Sequence, residues 1–177
     1  MKELIAVIIT FFLVAMIVTQ NSPQDTSQIL PELPTFALED VASFSLRLKG
    51  KPNLEAKREG DKWLLVDSDT PTYLNALAVE QLLHDLQSMK VKRVASKKTD
   101  QFLRFSVADN EVVLQDNQGK VLLDVFIGKP ATDLTSTYIR LADEKLVMTV
   151  DKVLTWQIKR TPSAWLSPTE TKDVSTE

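Results

Sequence analysis

No cysteine occurs in this chain of 177 residues, and that absence removes disulfides, thiolate zinc sites, iron–sulfur clusters and thiol nucleophiles together. A single histidine, His84, leaves no means of building a multi-histidine metal centre. Neither sign of charge dominates: 21 Lys and Arg stand against 24 Asp and Glu, a net of −3, so no overall positive excess points to nucleic acid or an anionic membrane. Glycine-dependent motifs are missing too. In "VFIGKPATDLTSTYIR", Val125 to Arg140, a glycine and a lysine follow an apolar strand, but a phosphate loop needs a glycine where Leu123 stands and a hydroxyl where Pro130 stands. The stretch reads instead as a strand ended by Gly128, with Pro130 keeping the chain out of helix. No G-x-S-x-G occurs, so His84 has no serine elbow to serve.

What is present begins at the N-terminus. From Leu4 to Val18, "LIAVIITFFLVAMIV", only Thr10 is polar, and the apolar residues cover every side of a helix. At about 1.5 Å per residue the run reaches roughly 22 Å, and Thr19 and a snorkelling Lys2 extend it toward the ~30 Å hydrocarbon core. Residues 1–19 are therefore expected to be an uncleaved transmembrane anchor, touching the membrane through residues 4–19. A cleaved signal peptide is the alternative, but the small A-x-A-like residues it needs are missing between Ile17 and Asn21; a buried soluble helix is a further one. Lys2 and the start amine face no Lys or Arg on the other side until Arg47, which places the body of the protein in the periplasm.

Residues 20–36 are polar and proline-bearing and read as a tether. Residues 37–166 form the folded domain, and 167–177, apolar only at Val174, a disordered tail. The domain opens with a strand from Ser43 to Lys49, where Phe44, Leu46 and Leu48 alternate with polar residues. A hairpin follows, Leu54 to Arg58 returning as Lys62 to Val66 around Gly60, with Trp63 and Leu65 on one face. Asn75 caps an amphipathic helix bearing Val79, Leu82, Leu83 and Leu86. After a basic link come Glu111 to Asp116 and Lys120 to Ile127, turned by residues 117–119, then a hairpin of Thr137 to Leu141 and Lys145 to Val150. Asp151 is expected to cap a short last helix ended by Pro162. The fold class is α+β: mostly antiparallel sheet built from hairpins, with one amphipathic helix and a short C-terminal helix, preceded by the transmembrane helix.

Chemistry is sparse along this chain. Asp67 and Asp69 in "DSD" offer two carboxylates for a divalent cation, but no third acid lies in the run, and such clusters are the usual composition of turns. His84 falls on the solvated face of the helix. The run "KVKRVASKK", with Lys90, Lys92, Arg93, Lys97 and Lys98, is the main charge cluster. It reads either as a contact for an acidic partner or anion, or as a sheet edge guarded by lysines against pairing. No aromatic lies within it to stack on bases, so nucleic acid is not expected.

Trp63 after the Gly60 turn, the helix "VEQLLHDLQSM", Arg93-Val94, "DNQGKVLLDVFIGK" and "TYIRLADEKLVMTV" stand in an order that resembles family 4340 of the bacterial domains of unknown function. Where such proteins usually have Tyr-Gly-Leu and a nearby proline, this chain has Phe105-Ser106-Val107. The resemblance implies an N-terminally anchored extracytoplasmic domain, in some bacteria accompanying ABC-type transport or gliding-motility components, with no reaction and no established ligand. Tyr138 and Arg140 then share one face of a strand, and Ile139 and Leu141 the other.

The expectation is a membrane-tethered binding or assembly module, not an enzyme and needing no cofactor, that meets a protein partner through sheet edges or the basic segment. The alternatives are a hydrolase or other enzyme with a dispersed acidic site around Asp67 and Asp69, and a carrier with a small apolar pocket behind Trp63 and Leu86.

Overall fold

Phe44 and Leu46 alternate with Ser43, Ser45 and Arg47, and the strand they form, β1 (Ser43–Leu48), sends the first pair into the core and the second set to the opposite face. The computed structural model describes residues 30–66 and 68–167. The anchor of residues 1–19, most of the tether, Asp67 and the tail from 168 onward lie outside the described residues. Among the described residues no helix is long and apolar enough to cross a membrane.

The remaining strands are β2 (Leu54–Glu59), β3 (Lys62–Leu65), β4 (Val91–Ser96), β5 (Asn110–Gln115), β6 (Val121–Pro130), β7 (Thr137–Leu141) and β8 (Val147–Val150). All eight join one sheet, in the order β3-β2-β1-β5-β6-β7-β8-β4, and every pairing is antiparallel. The expected hairpins are present: Gly60 (φ +61) turns β2 into β3, and the Asp116 carboxylate holds the β5–β6 turn by accepting from Gln118 N and Lys120 N. Helix α1 (Ala76–Ser88) starts where Asn75 accepts from Ala78 N, as an N-cap should. Its buried face is Ala78, Val79, Leu82, Leu83 and Leu86.

One connection sets the architecture. β3 and β4 are consecutive strands at opposite edges of the sheet. Seven strand spacings of about 4.8 Å separate them, so α1, about 20 Å long, must cross the sheet and its apolar face must lie on the strands it passes. That face meets the core built from Phe44, Leu46, Val112, Leu114, Val125, Ile127, Ile139 and Met148. Trp63 stands edge-on to Phe44, with ring centroids 5.4 Å apart. Before β1 the chain already touches the domain: Leu33 and Phe36 pack against the core, and Gln87 Nε2 donates to Phe36 O.

The C-terminal part differs from expectation in two ways. Helices α3 (Leu154–Ile158) and α4 (Pro162–Trp165) are separate, so Pro162 opens a helix instead of only ending one; its missing N–H costs nothing in the first turn. Asp151 caps neither. Its Oδ1 accepts from Lys90 N at 2.8 Å, and Leu154 N is satisfied by Thr137 Oγ1 at 2.9 Å. Strand β6 likewise continues past Gly128 to Pro130, through an irregular register between Ile127 and Pro130, because a bulge tolerates the ladder bond that proline cannot donate.

The second short helix, α2 (Phe102–Phe105), was not read from the sequence. It follows a 3-10 turn at Thr99–Gln101 and lies on the sheet face opposite α1. It therefore covers the back of β7, all five residues of which are buried.

Candidate functional site

The basic run is an edge strand. β4 has a neighbour, β8, on one side only, and its register slips twice, between Val91 and Arg93 and between Val94 and Ser96. Lys90, Lys92, Arg93, Lys97 and Lys98 are all exposed along it or just beyond its ends. Lys92 is committed: its Nζ lies 2.8 Å from Asp133 and 2.9 Å from Ser136 Oγ in the loop before β7. Hydrogen bonds from Lys92 and then Ser136 hold the Asp133 carboxyl well below the usual range. Among the described residues the other four cations form no ion pair. Bulges and lysines are the devices that keep an edge from joining indiscriminately with another chain, and the same row of charge admits an extended segment that brings carboxylates.

Three of the residues within the motifs that carry the family resemblance, Gly128, Tyr138 and Arg140, meet on the other face, around α2. A Cβ added at Gly128 would lie 2.3 Å from Phe105 O, 2.8 Å from Val107 Cγ1 and 3.0 Å from Tyr138 O. Glycine is required there because the turn after α2 presses on the strand. Ser106 makes that turn with φ +59, a left-handed conformation glycine adopts freely. In Phe105-Ser106-Val107 serine thus holds the left-handed position of the turn. Tyr138 lies against Phe105, with ring centroids 4.7 Å apart.

Arg140 ties this region together. Its guanidinium carbon sits 4.1 Å from the Phe126 ring centroid and 4.5 Å from that of Phe102, and the group donates to the carbonyls of Val107, Leu141, Ala142 and Glu144. Burial pulls its pKa down, while the charges of Asp124 and Glu111 push it back up. A side chain so fully engaged, 8% exposed, has a structural task and is closed to a ligand. As expected, Tyr138 and Arg140 share one face of β7, and Ile139 and Leu141 lie in the core on the other.

Beside this cluster the sheet presents an ionic row. Arg47 on β1 bonds the Glu111 carboxylate directly across on β5, and Asp124 on β6 is the diagonal neighbour of Glu111. Burial first, and the Glu111 charge second, push the Asp124 carboxyl up to about 6. Asp124 Oδ1 is buried with no hydrogen-bond partner. The pair was not legible in the sequence because a bulge between Leu114 and Gln115 shifts the ladder by one residue: counting straight back from the turn at residues 117–119 sets Val112 against Asp124, whereas the structure sets Val113 there, with Glu111 two residues further on.

Asp69 is exposed, and Asp67 lies outside the described residues. Among the described residues no three acid, His or Cys side chains are placed to hold a metal ion. His84 is exposed on α1, its Nδ1 4.0 Å from Asp85 Oδ1. Asp85 spends its carboxylate on Gln157 Nε2 at 2.5 Å and Lys152 Nζ at 3.4 Å, fastening α1 to α3. Trp63 and Leu86, 2% and 1% exposed, are packed within the core.

The fold and these sites define an α+β domain with one antiparallel sheet, helices on both faces and an open basic edge. The family model described as "Domain of unknown function (DUF4340)" matches residues 63–175, more than half of the chain, and the protein belongs to that family. No curated protein and no solved structure gives a significant match. The matched range begins on β3, yet β1 and β2, which precede it, stand between β3 and β5 in the sheet. The first two strands are therefore integral to this domain.

Proposed function

We propose that this protein is a membrane-tethered periplasmic binding module that accepts an acidic, extended segment of a protein partner along β4, as an accessory of an ABC-type transport or motility complex. The observation that carries the reading is the edge itself: a strand with one neighbour, fringed by Lys90, Arg93, Lys97 and Lys98, none of them ion-paired among the described residues. Main-chain bonding to such an edge supplies affinity, and the lysines select for carboxylates. The tether rests on the apolar run Leu4 to Val18, and its orientation on Lys2. The link to transport or motility machinery rests on what the family resemblance implies.

The test places a photoreactive residue at Ser96, on β4, or at Glu55, on the exposed face of β2, in cells carrying the full chain. Specific adducts are expected from Ser96 and not from Glu55, and charge reversal at Arg93, Lys97 and Lys98 should remove them. Adducts that persist after charge reversal, or that arise equally from Glu55, contradict the reading.

A further inference from the structure

At the end of the sheet where β1 turns into β2, the helices leave apolar surface uncovered. Leu48, Leu54 and Leu65 are half-buried there, and Leu166, just past α4, faces them across a groove of about 380 Å³. Leu46 and Trp165, each 2% exposed, form its floor. The volume is at the small end of ligand sites, which span roughly 300–1,000 Å³.

Two cations border this groove, Lys51 from the β1–β2 turn and Arg160 from the segment between α3 and α4. Arg160 is held in place: Nη2 donates to Gln81 Oε1 at 2.8 Å, and the guanidinium carbon lies 5.5 Å from the Trp165 ring centroid. Among the described residues neither cation is ion-paired, and no carboxylate lines the groove. An anion is therefore favoured at the mouth. The walls carry almost no hydrogen-bonding groups, Asn53 apart, so a peptide entering them would leave N–H and C=O groups unpaired at a cost of about 1–3 kcal/mol each. An alkyl chain has no such groups. The narrow volume takes one chain and not two.

We propose that this groove binds a single-chain fatty carboxylate, its chain against Leu48, Leu54, Leu65 and Leu166 and its carboxylate between Lys51 and Arg160. The site is independent of β4, which lies at the opposite edge of the sheet from β3 and Leu65.

The experiment uses the full chain in phosphatidylcholine vesicles, labelled with a diazirine-bearing dodecanoic acid and mapped by peptide mass spectrometry. Adducts are expected in the segments holding Leu48, Leu54 and Leu166, displaced by dodecanoate and not by dodecanol. K51Q/R160Q and K51E/R160E should each weaken displacement roughly tenfold or more, the sum of two modest charge contacts, while K97E/K98E leaves it unchanged. Adducts confined to residues 4–18, equal displacement by dodecanol, or wild-type labelling of both Lys51/Arg160 double variants overturns the proposal.

Discussion

Replacing Arg140 by Met tests whether the back of the sheet is held as the geometry indicates. Met keeps much of the apolar stem but removes the guanidinium, and with it the donors to Leu141 O and Ala142 O at 3.0 Å, to Val107 O at 3.2 Å and to Glu144 O at 3.3 Å. Hydrogen bonds to a charged group contribute about 1.5–3 kcal/mol each, and two stacked aromatic faces about 1 kcal/mol apiece when desolvated. Three terms reduce that sum. Leu141 O keeps a second donor, Glu144 N, the carbonyls of Ala142 and Glu144 can rehydrate, and the cost of burying the cation disappears. The net loss is about 3 kcal/mol. With a urea slope of about 1.5–2 kcal/mol/M for a domain of this size, the midpoint should fall by roughly 1.5–2 M. Tryptophan fluorescence of the full chain in mild detergent reads that shift, since Trp63 and Trp165 are buried in the core. Hydrogen exchange should show Phe102 to Val107 loosening first. Arg140→Lys should lose nearly as much, because a point charge cannot lie flat between two rings and serve four carbonyls. A midpoint shift under 0.5 M for Met, or full rescue by Lys, would refute this reasoning.

Three further outcomes follow from the same region. Gly128→Ala sets a methyl against the backbone carbonyls of Phe105 and Tyr138 and the short, branched side chain of Val107, so it should cost about 2–3 kcal/mol in the same urea assay; a neutral result would mean the α2 turn does not press on β6. Ser106→Gly should stabilise by about 0.5 kcal/mol, as relief of the left-handed serine exceeds the added chain entropy, and a lower midpoint would contradict the αL assignment. Asp124→Asn addresses pH. The folded pKa of about 6 stands above the ordinary 3.8, so the native state holds its proton longer. The site's contribution to stability is present below about pH 4 and lost as pH rises through 6. The Asn variant should gain about 1 kcal/mol at pH 7.5, a figure reduced for solvent screening of a half-buried group, and nothing near pH 4. Equal stability of the two proteins at both pH values would remove the burial argument for Asp124.

Much of the fold was legible because its periods are clean. Alternation in Ser43 to Leu48 and the 3-4-7 spacing of Val79, Leu82, Leu83 and Leu86 each fit one element and no other. The order of strands was not legible, since nothing local to Val91–Ser96 says that α1 has carried the chain to the far edge. Residues 99–107 were missed for a related reason: Phe102 and Phe105 have no long period of their own and acquire a helix by covering Tyr138 and Arg140. Arg140 looked like the polar half of an alternating strand, and only the second layer makes it a buried cation. Of the site, the guarded edge was readable from its lysines. The Glu111–Asp124 pair needed cross-strand register, and the apolar groove needed the return of α4 to the end of β1.

The most direct measurement of the central claim is amide exchange along β4 in two settings, the full chain in native membrane fragments and the purified full chain in phosphatidylcholine vesicles. Occupation of the edge predicts slower exchange in native membranes concentrated at Val91–Ser96, reversed by charge reversal at Arg93, Lys97 and Lys98. Identical β4 exchange in both settings, or protection that falls on β3 or α1 instead, would contradict the account.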